Sequence, residues 1–151
     1  MRVQDVMTRG VKTIAPTAAA EDAWNKMRLN RIHHLVVTMA DRVIGVLSDR
    51  DLGGRRGAVV RQSSTVADIM NAPAVTVEPT TTVRQAANVM RGRAIGCLVV
   101  VESGRATGIV TVSDLLELVG RGLDRGAATA TRRTLSHRAP HRKSKGVVAA
   151  W

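Results

Sequence analysis

Two short stretches hold the residue types best able to do chemistry: Ser48-Asp49-Arg50-Asp51 and Thr111-Val112-Ser113-Asp114. In each, a hydroxyl stands three residues ahead of a carboxylate, the spacing of an N-cap and an acidic residue in a first helical turn. For an isolated S-x-x-D the ordinary use is structural, closing a helix end on itself. The same geometry also suits a ligand, because free N–H groups and a hydroxyl can meet a phosphate while the carboxylate accepts from sugar hydroxyls. Gly45 and Gly108, just upstream, would let such a ligand approach the backbone. His33-His34 can add a donor to phosphate, although a histidine on a strand more often serves packing or solvent. Adjacent strand residues point to opposite faces, so one cleft would take at most one of the two. Arg50, Arg55 and Arg56 either add positive potential for phosphates or form a solvated basic turn.

Catalysis would require a nucleophile with its base, a metal cluster or a paired-carboxylate site. The single cysteine, Cys97, lies in the apolar run AIGCLVVV and reads as a small buried filler. One cysteine excludes an intrachain disulfide framework and a multi-cysteine metal site. No His/Cys/Asp/Glu spacing suggests a metal, so a non-catalytic protein is expected.

The two stretches recur because the chain is duplicated. Residues 5–52 lie over residues 68–115 without a gap and agree at 17 of 48 positions, against about five expected from so biased a composition. Each copy opens with a short amphipathic segment, VQDVM or VADIM, followed by a β-branched stretch that ends at Pro16 or Pro79. Thr17 or Thr80 then offers a cap for a helix whose face is Ala20, Ala23, Trp24 and Met27, or Val83, Ala86, Ala87 and Met90. Two strands follow, broken by the turn pairs Ala40-Asp41 and Ser103-Gly104. A last helix is expected to begin at Ser48 or Thr111, giving the order strand, helix, strand, strand, helix. One such unit cannot bury both faces of its sheet, so the copies should pack as one pseudo-symmetric body. The segment GGRRGAVVRQSS reads as the connection between them.

This ordered pair of units, each with D-[VI]-M, a strand ending in Pro, a helix, two strands and G-h-h-[ST]-x-x-D-L, resembles a tandem cystathionine β-synthase (CBS) domain pair, or Bateman module. The resemblance implies an α+β fold with repeats over residues 2–60 and 65–122. It also implies a regulatory function through an adenosyl ligand (AMP, ADP, ATP or S-adenosylmethionine) held between the repeats, with no obligatory cofactor. It places Asp51 and Asp114 on ribose hydroxyls, Ser48 and Thr111 near ribose or phosphate, and His33 or His34 toward phosphate. The backbone at Lys12 and Thr13, and at Val75 and Thr76, would meet the base edge. Gly96-Cys97 replaces the histidine pair in the second copy, so unequal clefts are expected. A homodimer and an unidentified regulated protein partner complete the expectation, with apolar helix faces around Trp24 and Leu115 to Val119 as the dimer's surface.

The formal net charge is +11. Most of it belongs to residues 121–151, which carry eight Lys/Arg against one Asp. Residues 123–151 are expected to form a basic, disordered tail, either a solvated extension or an arm for nucleic acid. The near absence of aromatic residues argues against base stacking. No stretch approaches the ~20 apolar residues of a membrane span, and the first residues lack the apolar core of a secretion signal. A soluble, cytoplasmic protein is the expectation. A ligand-free structural or oligomerisation module is the alternative to the sensor, and nucleic-acid binding through the tail is the other.

Overall fold

In the computed structural model, which describes residues 1–122, the duplication appears as two three-stranded sheets of identical layout. The first sheet has the order β1 (Thr13–Ile14), β2 (His34–Met39), β3 (Arg42–Ser48), and the second has β4 (Thr76–Val77), β5 (Cys97–Glu102), β6 (Arg105–Thr111). In each, the first strand runs parallel to the second and the third antiparallel. The helices are α1 (Val3–Val6), α2 (Ala20–Asn30), α3 (Ala58–Ser63), α4 (Val66–Ile69), α5 (Val83–Arg93) and α6 (Val112–Gly120). The architecture is α+β.

Local signals account for these elements. The hairpin pairs Ala40-Asp41 and Ser103-Gly104 all have positive φ, between 52° and 81°, which is the twist a two-residue turn needs to join antiparallel strands. The helices after the prolines start later than Thr17 and Thr80 suggest. A turn follows each proline, and the N-caps are Ala19 and Thr82. Thr82 Oγ1 accepts from the Gln85 N–H at 3.1 Å, whereas Ala19 has no side chain to do so.

Ala20, Ala23 and Met27 of α2 pack with Leu35, Val37 and Leu47 of the first sheet, and Val66 of α4 joins the same cluster. Val36 and Val99, which point to the opposite faces of their sheets, are also fully buried. The face away from the helices is therefore covered, and β3 and β6 touch. The expected packing of two copies as one body holds within residues 1–114.

The segments that introduce each copy are exchanged. Val66 and Ala67 donate to the carbonyls of Ala18 and Pro16 at 2.9 Å, and Val46 and Asn71 trade hydrogen bonds at 3.0 and 2.9 Å. In the same manner Val3 and Gln4 donate to Thr81 and Pro79 at 2.8 and 3.0 Å, and Thr8 pairs with Ile109. Residues 2–8 thus sit on the second sheet and residues 65–71 on the first.

The helix expected from Ser48 does not form. After Asp51 the chain makes turns and a 3-10 turn (Gly54–Arg56), and α3 begins only at Ala58. Gly53 and Gly54, where the second copy has Leu116 and Glu117, take φ of 83° and 59°. Left-handed backbone there cannot continue a right-handed helix. The segment read as a plain connection therefore contains a helix of its own.

Candidate functional site

Each S/T-x-x-D stretch forms a reciprocal cap at the end of the third strand. The Ser48 N–H donates to Asp51 Oδ2 at 2.8 Å and the Asp51 N–H to Ser48 Oγ at 3.2 Å, with the same two distances for Thr111 and Asp114. Only α6 continues the second cap as a helix. Both carboxylates use Oδ2 for the cap, and Oδ1 takes no part in it. All four residues are half-buried.

His34 stands opposite Ser48 in its ladder and Cys97 opposite Thr111. Burial lowers the His34 pKa, and the carboxylates of Asp49, Asp51 and Asp114 pull it back up only in part. Burial therefore favours the uncharged imidazole at His34. Each cap closes the end of the third strand of its sheet, and these two strands, β3 and β6, touch. Burial, then Asp114, pushes the Cys97 thiol up to about 12, which leaves it without a nucleophilic thiolate.

The remaining predicted residues separate into two groups. The carbonyls of Lys12 and Val75 accept from Val36 and Val99 at 3.1 Å and so close the parallel ladders. Thr13 and Thr76 are exposed on the edge strands β1 and β4, and the Thr13 carbonyl accepts from Lys26 Nζ at 2.6 Å. His33 is exposed, with Nδ1 2.9 Å from Asp49 Oδ2.

Three features escape a reading of the sequence. Asn71 Nδ2 donates to Asp51 Oδ2 at 3.0 Å, a partner supplied by the exchanged segment. Asp49 engages His33. Gly45 and Gly108 leave room for protein, because a Cβ on Gly45 would lie 2.9 Å from both the Asn71 carbonyl oxygen and Met70 Sδ, and one on Gly108 would collide with Met7. The expectation that these glycines admit a ligand is corrected by the exchange.

Residues 3–52 and 66–121 each match the family model of the CBS domain. The chain belongs to the CBS domain family. This CBS pair is 29% identical over 114 residues to the CBS domain-containing protein YhcV of Bacillus subtilis, covering 75% of this chain and 81% of that one. It is 32% identical to the inosine-5'-monophosphate dehydrogenase of Korarchaeum cryptofilum over 76% of this chain but only 23% of that enzyme. Its fold superposes on the CBS domain pair of protein MJ0100, solved with 5'-methylthioadenosine and S-adenosyl-L-methionine, with a TM-score of 0.72 at 23% identity, covering 80% and 96% of the two chains. A putative acetoin utilization protein (AcuB) from Vibrio cholerae gives 0.67 at 28% identity, covering 82% and 93%. Among the described residues, no helix is long and apolar enough to cross a membrane.

Proposed function

We propose that this CBS pair is a regulatory module that binds an adenosyl ligand (AMP, ADP, ATP or S-adenosylmethionine) at the shared end of its two sheets and passes the change to a protein partner. The observation that carries the reading is the convergence of Ser48-Asp51, Thr111-Asp114 and His34, with an unused carboxylate oxygen in each cap. Asp51 and Asp114 accept from ribose hydroxyls, Ser48 and Thr111 lie toward ribose or phosphate, and His34 donates to phosphate. Thr13 and Thr76, on the open edges, present backbone to the base. The bound adenosyl compounds of the MJ0100 pair support this ligand class.

Binding energy that differs between two arrangements of the repeats, or of a homodimer, is what makes such a module a switch. Leu116 and Val119 of α6, each 65% exposed, are the apolar surface for that dimer, whereas Trp24, read from the sequence as part of it, is partly buried against the core of the first copy. The reading assigns the chain no catalysis, no obligatory cofactor and a cytoplasmic site of action. A ligand-free structural module is the second reading, favoured by the fact that both carboxylates already cap their own turns. The basic tail proposed for nucleic acid lies outside the described residues.

Thermal denaturation of the full chain with each of the four ligands separates the two. At ~100 times Kd the linkage term is about 2.7 kcal/mol, a rise in Tm of roughly 5–10 °C. A flat response to all four at millimolar levels would leave the structural module.

A further inference from the structure

We infer that the first copy carries a second anion site, in a groove beside its cap, which takes a small, multiply phosphorylated ligand. A groove of about 500 Å³ opens between α2 and the segment that follows β3, a volume in the range of small-molecule sites. Trp24, Met27 and Ile32 give it an apolar wall, and the side chains of Arg28, Arg31 and Arg55 line it as well. Among the described residues, these three arginines make no hydrogen bond or ion pair from their guanidinium groups.

A fourth arginine builds the floor. Arg61 is only 6% exposed, its guanidinium lies 4.1 Å from the centre of the Trp24 ring, and Nη1 donates to the Leu52 carbonyl at 3.1 Å and to that of Gly54. Its Nε has no hydrogen-bond partner and sits 3.5 Å from Glu21 Oε1. Glu21 therefore offsets the charge of Arg61, and the exposed Arg28, Arg31 and Arg55 carry the positive charge of the groove. The acid at the rim, Asp49, is held by His33.

Comparison of the two copies makes the groove more than a chance patch. At the register of the duplication, Trp24, Arg31, His33, Asp49 and Arg55 become Ala87, Ala94, Gly96, Val112 and Leu118. These positions, scattered along the sequence, meet in one groove of the first copy. Gly53 and Gly54, with positive φ, interrupt the helix beside it. Several planar guanidinium groups over an apolar wall suit phosphoryl oxygens on a compact body better than one carboxylate.

The test uses inorganic tripolyphosphate as probe and Trp24 fluorescence as readout, in the full chain with Trp151→Phe so that only Trp24 reports. A saturable change is expected, retained with Asp51→Asn and Asp114→Asn together, and weakened at least about tenfold by Arg28→Gln, Arg31→Gln and Arg55→Gln together. These arginines are exposed and hold no other element in place, so the triple variant folds, which circular dichroism checks. No change at Trp24 up to millimolar probe, or a change untouched by the triple variant, overturns the site. Loss of the change in the double Asn variant also overturns it, by assigning the probe to the caps.

Discussion

Asn71 Nδ2 lies 3.0 Å from Asp51 Oδ2, so a residue from the segment that introduces the second copy completes the cap of the first. The corresponding position on the other side is Thr8, and the two caps therefore differ in support although their backbone geometry is the same. Replacing Asn71 by Ala should destabilise the fold by about 0.5–1.5 kcal/mol. Combined with Asp51→Ala the losses should fall short of additivity, because both changes remove one interaction. A double-mutant cycle by urea denaturation reads the coupling, and strictly additive losses would show that the bond contributes nothing.

The exchange of segments makes a sharp distinction between glycines. Gly45→Ala should cost roughly 1–3 kcal/mol, because its Cβ meets the Asn71 carbonyl and Met70 at 2.9 Å. Gly92, inside α5 with nothing within 4 Å of a Cβ, should instead gain about 0.5–1 kcal/mol on change to Ala. Denaturation midpoints that moved the same way for both would contradict the packing described.

Much of this was legible in the sequence. Proline-ended strands, the hairpin pairs and the spacing of Ala20, Ala23 and Met27 are local signals, and they gave the right elements. The caps at Ser48-Asp51 and Thr111-Asp114 are local as well. The exchange of residues 2–8 and 65–71 was not legible, since it depends on which sheet edge each segment reaches and either choice satisfies the same hydrophobic pattern. The helix expected after Ser48 failed because its likeness to the second copy outweighed Gly53-Gly54. The groove beside Trp24 was hidden for a related reason. Its residues lie on three elements, and their departures from the repeat appear unconnected until the chain folds.

His34 makes stability depend on pH. Its folded-state pKa lies below the ordinary 6.5 because of burial. Above that value the imidazole is neutral whether folded or not, and the full stability is present. As pH falls from 6.5 through the lower folded value, the unfolded chain takes up a proton that the folded chain resists, and stability is lost. His34→Gln should remove that part of the loss. Urea midpoints at pH 7.5 and 5.5 should therefore separate more widely for the native sequence than for the variant, and equal separations would refute the assignment.

Calorimetric titration of the full chain with AMP, ADP, ATP and S-adenosylmethionine tests the central claim most directly, run beside Asp51→Asn and Asp114→Asn singly and together. The account predicts heat from at least one ligand, distributed over two unequal sites because Cys97 stands in the second copy where the first has His34. It predicts that one single variant removes the tight phase and that the double variant removes binding. One charge-assisted contact is worth about 1.5–3 kcal/mol, or about tenfold to more than a hundredfold in affinity, enough to make the inequality visible. Absence of heat from all four ligands at millimolar concentration, or binding unchanged in the double variant, would contradict it.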